Sequence, residues 1–306
     1  MSARDQNARK IEQRDWEQIA GEWQNFVPED PVSDPEHEIE ELTSLPEIYT
    51  AVDSLQMGQR SYFEEIAGLR RAFYVDAIAQ LRRAVHVLRV GLESSSTGYR
   101  SWSRATCYQA GFFGMRAVCD FLGCTVARNR HTNRYYQLDI WVQRDQGSSK
   151  AITDSEYRFS CYKRSPPQHM DWWSVLIRLV HCTRVSEGVW PYAAKDAFKQ
   201  VDPERIPTQR NALHYKSSYW PFADLQAVDC NDSMAQLLAS VRKGQGWADL
   251  ANPDVGVHLG LQVVGMALAL LRDLGLRVSS AADEHDLLLG RLDEVMGAGD
   301  AFMEEV

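Results

Sequence analysis

Apolar residues recur at helical spacing over most of the chain, and this pattern predicts a mainly α-helical fold. The strongest stripe runs over residues 61–92, where apolar positions recur every three or four residues. A second stripe starts at Trp102, which is expected to point inward, and stops at Gly123, a residue type that commonly closes a helix. Gly111 and Gly114 inside this second stripe predict close approach of a neighbouring helix. We expect the two stripes to form an antiparallel helical hairpin.

Shorter helical patterns lie on both sides of this hairpin. A first amphipathic helix is predicted at residues 11–26 and a last one at 281–296. The uncharged run between Asp254 and Arg272 is shorter than the roughly 20 apolar residues of a membrane span, so we interpret it as a buried helix that ends at Gly275. Other helices are predicted at residues 172–185, 193–201, 208–219 and 232–241.

The period of the pattern changes in the middle of the chain. Segments 134–144 (RYYQLDIWVQR) and 157–163 (YRFSCYK) are rich in aromatic and β-branched residues that alternate with polar ones. A polar stretch that begins with DQGSS separates them. We therefore predict a β-hairpin insertion at about residues 134–163.

The N-terminal region has a different composition. Residues 27–46 hold seven carboxylates and no lysine or arginine. We interpret residues 1–46 as the first helix and a solvated acidic linker, with an arm that docks on a basic surface as the alternative. A helical bundle domain that carries the β-hairpin is then expected to cover residues 47–306.

Composition places the chain among soluble globular proteins, since 44% of the 306 residues are hydrophobic and 25% are charged. The formal net charge of -9 argues against a surface that is basic everywhere, so any contact with nucleic acid is expected to be local. The six scattered cysteines are interpreted as reduced core thiols. The polar start predicts a cytoplasmic protein without a signal peptide, and no contact with membranes is expected.

Common catalytic signatures are missing from the sequence. It contains no glycine-rich phosphate loop, no paired-glycine dinucleotide fingerprint and no serine nucleophile elbow. The cysteine and histidine spacings do not match a tetrahedral zinc site. We therefore predict neither a metal nor another cofactor.

The best candidate for chemistry is the segment TQRNALHY at residues 208–215. On a helix, His214 lies one turn beyond Arg210, so both side chains project from the same face. His214 can pass a proton near neutral pH, and Arg210 can stabilise charge on a phosphorane. Asn211 would hydrogen-bond the phosphate or orient the histidine, and Tyr215 would stack a base. This set predicts RNA cleavage without a metal; the alternative is that the arginine and histidine brace a helix end.

Two parts of the chain resemble the HEPN superfamily. The segment SRATCYQAGFFGMRAVCDFLGC at residues 103–124 is similar to the family's second helix, and RNALHY at 210–215 is similar to its arginine, polar residue, spacer and histidine motif. The resemblance implies an α-helical bundle and a metal-independent endoribonuclease of a toxin-antitoxin or antiviral defence system. It also implies a homodimer and a cognate antitoxin or defence-system protein as partner.

The motif spacing departs from the family pattern, because only three residues separate Arg210 from His214. Arg82 and His86 show the same gap on another predicted helix. A longer gap, as is usual in the family, occurs in RSPPQH at residues 164–169, where two prolines argue against a helix.

Basic residues flank the predicted hairpin. Arg128, Arg130 and Arg134 precede it, and Lys163 and Arg164 follow it. We expect them to form one basic lip that binds RNA, with an ordinary solvated rim as the alternative.

Taken with the resemblance, these patterns predict a mainly α protein, a HEPN-like helical bundle with a β-hairpin insertion, that cleaves RNA. The first alternative is a catalytically inactive bundle that binds a protein partner through the acidic stretch and the tryptophan-bearing first helix. A weaker alternative is a small-ligand pocket lined by Trp172 and Trp173.

Overall fold

The computed structural model describes residue 11 and residues 13–27, 55–64, 69–96, 100–128, 133–142, 158–190, 195–196, 198, 201–202, 206 and 255–296. Over these residues the protein is mainly helical, as predicted, with two small sheets. The chain divides into a first unit, Met1–Ala79 with Cys119–Val185, and a second unit, Gln80–Val118 with Ser186–Val306. The domain boundary predicted after residue 46 lies outside the described residues.

The helices are α1 Trp16–Trp23, α2 Leu69–Ser96, α3 Arg100–Phe121, α4 His169–Cys182, α5 Val255–Gly275 and α6 Ser279–Met296. The strands are β1 Arg14–Asp15, β2 Arg60–Glu64, β3 Cys124–Arg128, β4 Tyr135–Val142, β5 Arg158–Arg164 and β6 Thr183–Arg184. Residues of α2 and α3 contribute to both units.

The first unit contains a four-stranded antiparallel sheet in the order β2, β5, β4, β3. The pairing of β4 with β5 confirms the hairpin predicted at residues 134–163. The sheet is larger than this hairpin, because β3 and β2 add a strand at each side. The helix predicted from residue 61 is therefore wrong at its start: residues 60–64 pair with β5, and this distant pairing overrides their local helical spacing.

Helix α1 lies in the core of the first unit. Trp16 is 1% exposed and Trp23 is 0% exposed. The indole Nε1 of Trp23 donates to the carbonyl oxygen of Phe121 at 2.9 Å, and the Tyr74 ring lies within 6.2 to 6.3 Å of both rings. The two tryptophans are therefore core residues and do not form a surface for a protein partner.

The start of α1 is later than predicted for the helix at residues 11–26, because residues 14–15 form a strand. This strand, β1, pairs in parallel with β6. The Asp15 carboxylate caps α1 by accepting from Glu17 N at 3.0 Å, and it also accepts from Arg184 Nε at 2.7 Å. The strand pairing and the contact between Asp15 and Arg184 thus join the N-terminal part of the first unit to the segment that follows α4.

Glycines allow close helix packing in the second unit. A Cβ atom at Gly260 would lie 2.5 Å from the carbonyl oxygen of Cys107, so α5 contacts the backbone of α3 directly. A Cβ atom at Gly111 would lie 3.4 Å from Gly260, and one at Gly114 would lie 3.2 Å from Val264. The close approach predicted from Gly111 and Gly114 is therefore confirmed.

The predictions for the two ends of α3 have different outcomes. Gly123 follows the helix with φ of 69°, a left-handed conformation that favours glycine, so the predicted stop is confirmed. The inward orientation predicted for Trp102 is wrong, since this side chain is 51% exposed. The neighbouring Ser103 is buried instead, which shows that the buried stripe is rotated by one residue in the first turn.

The uncharged run forms α5, and Gly275 is its last residue, as predicted. The segment Gly256–Gly275 is long and apolar enough to cross a membrane by length and composition alone. However, 89% of its most apolar window is buried inside the protein, which is the behaviour of a core helix. The prediction of a buried helix is confirmed, and the following helix α6 closely matches the amphipathic helix predicted at residues 281–296.

Five cysteines lie in the described residues, and all five are buried free thiols: Cys107, Cys119, Cys124, Cys161 and Cys182. Burial raises the pKa of the Cys107 thiol to about 12, and it also raises the pKa of Cys161. These two thiols remain protonated at neutral pH. The free and buried state of the five described cysteines agrees with the interpretation as reduced core thiols. The sixth, Cys230, lies outside the described residues, as do the helices predicted at 208–219 and 232–241.

Candidate anion-binding site

Three residues from three neighbouring strands align across one end of the four-stranded sheet. Arg128 is the last residue of β3, Tyr135 is the first of β4, and Arg164 is the last of β5. Tyr135 is the register partner of both arginines. Because directly opposed residues of an antiparallel sheet point to the same face, the three side chains share one face. We call Arg128, Tyr135 and Arg164 the basic row.

The exposed end of the basic row is Arg128. Its Nε donates to the Asn133 side-chain oxygen at 2.8 Å, and its guanidinium carbon lies 5.9 Å from the Tyr135 ring centroid. The latter distance is within the range of a cation–π contact. These two contacts orient Arg128 and still leave it accessible to a phosphate. Arg134, next to the row in sequence, is also exposed.

The opposite end of the row is a buried cation. Arg164 is 5% exposed. Its ion pair with Asp171 joins Nη2 to Oδ1 at 3.6 Å, which is longer than a hydrogen bond. Among the described residues, its Nε and Nη1 have no hydrogen-bond acceptor. A buried guanidinium with such incomplete pairing costs free energy, because the lost hydration is not replaced.

Asp171 ties the Arg164 guanidinium to the start of α4. It lies in the first turn of this helix, and its Oδ2 accepts a hydrogen bond from Gln168 N at 2.7 Å in a capping box. Residues 165–168 are not helical, in agreement with the prediction made from the two prolines. The sequence thus ends β5, turns through four residues and begins α4 beside the buried cation. A helix N-terminus favours negative charge, so it strengthens the local preference for an anion.

The same face of the sheet continues inward as a set of paired polar groups. The Tyr162 hydroxyl donates to Gln137, whose amide nitrogen lies 3.7 Å from Cys124 Sγ. One row deeper, both carboxylate oxygens of Asp139 accept from Arg14 Nη2, at 2.8 and 2.9 Å. Arg14 Nη1 donates to the Leu122 carbonyl oxygen. This deeper part of the face is a saturated network and has a structural role.

Only part of the predicted site lies in the described residues. Arg128 and Arg134 are exposed as expected, and Arg128 shares a row with Arg164, so the cations before and after the hairpin are brought together. Lys163 is one residue out of phase and points to the opposite face, where its Nζ donates to the Leu55 carbonyl oxygen at 3.3 Å. The other predicted residues, Arg130, Arg210, Asn211, His214 and Tyr215, lie outside the described residues.

The buried pairs of this face were not found from the sequence. Arg14 lies in a segment with a helical pattern, and its partner Asp139 is 125 residues away. The sequence does not mark Asp171, because the four residues from Gln168 to Asp171 depart from the usual capping-box pattern of Ser or Thr followed three residues later by Glu or Gln. Trp172 and Trp173, predicted as lining of a small-ligand pocket, are both buried on α4.

Within the described parts of the chain, no cluster of three or more His, Cys, Asp or Glu side chains is placed to hold a metal ion. The basic row offers cationic donors and an aromatic face, which suit phosphate oxygens and bases.

Comparison with protein-family models, with curated proteins and with solved structures gives no match for this chain.

Proposed function

We propose that this protein binds RNA at the basic row and cleaves it without a metal ion, as a HEPN-like ribonuclease of a toxin-antitoxin or antiviral defence system. The observation that carries the binding part is the alignment of Arg128, Tyr135 and Arg164 in one row. The exposed Arg128 offers a phosphate contact and the partly exposed Tyr135 ring offers a stacking surface for a single strand, while Arg164 lies buried at the other end of the row. On a chain with a formal net charge of -9, such a local cationic surface is the place where a polyanion is expected to bind.

Cleavage is assigned to Arg210 and His214 on the strength of the sequence motif. His214 would deprotonate the ribose 2'-hydroxyl or protonate the leaving 5'-oxygen. Arg210 would stabilise the negative charge that develops on the phosphorane, with Asn211 as an additional donor. The same resemblance leads us to propose a homodimer, which light scattering on the purified protein would reveal.

Incubation of the purified protein with total RNA in EDTA tests this proposal. We expect digestion by the wild type and a loss of about 100-fold or more in rate for His214→Ala, since a general acid or base typically contributes this much. His86→Ala is a matched control, because His86 follows Arg82 with the same three-residue gap and is exposed on α2. Equal digestion by the wild type and His214→Ala would refute the assigned chemistry.

A separate measurement tests RNA binding by the basic row. Arg128→Ala is expected to weaken binding of single-stranded RNA and to reduce its salt dependence by about one phosphate contact. Arg184 is exposed, lies in the same unit and pairs with Asp15, so Arg184→Ala serves as a control for general loss of one positive charge. Equal effects of the two changes would reduce the basic row to an ordinary charged rim.

A further inference from the structure

We propose that Arg164 anchors a pocket for a terminal phosphate monoester, so that the RNA bound at the basic row is recognised by a phosphorylated end. The pocket presupposes the proposed function, because RNA supplies the phosphate. It does not depend on cleavage.

The first support is the state of the Arg164 side chain. A guanidinium carries five N–H donors, and the three on Nε and Nη1 have no acceptor among the described residues, although the residue is 5% exposed. Buried polar groups in folded proteins are nearly always hydrogen-bonded, so we infer that these donors, which have no acceptor among the described residues, donate to a bound ligand. A phosphate group presents several oxygens to donors in this planar arrangement.

The second support is the position of α4. The 3.6 Å contact of Arg164 Nη2 with Asp171 Oδ1 places the guanidinium at the first turn of a helix of 14 residues. The helix dipole makes such a terminus favourable for an anion. A buried cation and a helix N-terminus therefore meet at one place.

Burial and charge together favour a terminal group over an internal one. An internal phosphodiester continues as a chain on both sides, whereas a monoester at a strand end has a single substituent and can enter a buried pocket. A monoester also carries a charge of about −1.5 to −2 near neutral pH, compared with −1 for a diester. The larger charge better offsets the cost of burying the Arg164 cation and the repulsion from Asp171. The exposed Arg128, at the other end of the row, is then left to contact the next phosphate.

The test measures binding of short 2'-O-methyl RNA strands, which cannot be cleaved through the 2'-hydroxyl. Three strands of one sequence carry a 5'-phosphate, a 3'-phosphate or hydroxyl groups at both ends. We expect one phosphorylated strand to bind the wild type about tenfold more tightly than the hydroxyl-ended strand, the gain expected from charge-assisted hydrogen bonds. Which strand gains also identifies the end that is bound.

Variants of Arg164 and Arg128 distinguish binding of the terminal phosphate from binding of the rest of the strand. Arg164→Gln is expected to abolish the preference for a phosphorylated end, and Arg164→Lys to keep part of it. Arg128→Gln is expected to weaken all three strands alike and to leave the preference intact. The preference should also grow as pH rises through about 6, where the monoester loses its second proton. Equal binding of the three strands to the wild type, or an unchanged preference in Arg164→Gln, overturns the proposal.

Thermal stabilisation by AMP, with adenosine as control, gives a readout that is independent of strand binding. AMP is expected to raise the Tm of the wild type and to leave that of Arg164→Gln unchanged. If no strand binds but AMP still acts through Arg164, the RNA function fails while the phosphate pocket stands. If neither AMP nor its isomer with the phosphate on the 3'-oxygen has an effect on a folded wild type, the pocket itself is overturned, whatever the RNA digestion assay shows.

Discussion

One face of the sheet in the first unit holds two buried arginines that differ in their hydrogen-bond pairing. Arg14 makes a pair of short hydrogen bonds to Asp139 and a further one to a carbonyl oxygen, and the two charged side chains are 1% and 3% exposed. Among the described residues, Arg164, two rows away along β4 by register, has one carboxylate at 3.6 Å. The two arginines are buried to a similar extent, but they differ in how many of their donors are paired. Arg14 is therefore built to hold the fold, whereas Arg164 is kept ready for a ligand.

The difference shows how burial alone misleads about the role of a charged residue. A buried charge is tolerated when its partners replace the lost water, and removal of one partner is then strongly destabilising. A buried charge without such partners contributes little to stability but binds an incoming anion in an environment of reduced screening. The number of satisfied donors therefore separates a structural arginine from a binding arginine.

The largest expected effect on stability follows from a change of Asp139, the carboxylate that pairs with Arg14. Asp139→Ala leaves Arg14 buried without its carboxylate, so we expect a loss of about 3 to 5 kcal/mol in the free energy of unfolding. Urea denaturation followed by circular dichroism measures this loss. The double variant Arg14→Met with Asp139→Leu is expected to recover most of it, because no uncompensated charge remains. A loss below about 1 kcal/mol for Asp139→Ala would show that the pair is not structural.

A moderate effect is expected at Asp171, the carboxylate beside Arg164 in the first turn of α4. Asp171→Asn keeps an acceptor for Gln168 N but removes the negative charge from the first turn and from Arg164. We expect a loss of about 1 kcal/mol in the free energy of unfolding. At the same time AMP affinity should increase, since the carboxylate that repels the phosphate is gone. Weaker AMP binding by this variant would mean that Asp171 positions Arg164 more than it competes with the ligand.

The smallest effect on stability is expected for a change of Arg164, the arginine with incomplete pairing. Arg164→Met replaces a poorly paired cation with an apolar side chain of similar length, so the Tm without ligand should stay within a few degrees of the wild type or rise. Differential scanning fluorimetry without and with AMP measures both the stability and the ligand response. A large drop in Tm without ligand would erase the contrast with Arg14 and make both arginines structural.

The parts of the fold that follow from local periodicity were predicted well. The stripe of α5, the extent of helix α3 with its glycine stop at Gly123, and the hairpin of β4 and β5 all depend on residues close in sequence. The strand β2 was missed because its partner β5 lies about 100 residues later, and no local signal in RSYFE outweighs the helical spacing that follows it. Long-range pairing decides such a segment.

The candidate site was predictable to a similar extent. The cluster of arginines on both sides of the hairpin predicted one basic lip, and Arg128 and Arg164 do share a row. Sequence did not show that Arg164 would be buried while Arg128 is exposed, because burial depends on α4 and Asp171 packing against the strand end. The motif at Arg210 and His214 remains a prediction.

The position of β2 at the edge of the sheet has a consequence during synthesis. Its register partners on β5 leave the ribosome about 100 residues later, a delay of about 5 to 20 seconds at typical elongation rates. Through this interval β3 can pair with β4 as soon as both have emerged, while the backbone N–H and C=O groups of β2 stay unmatched. The nascent chain therefore exposes a strand with unpaired backbone groups during synthesis. Chaperones that bind extended segments are expected to raise the yield of folded protein.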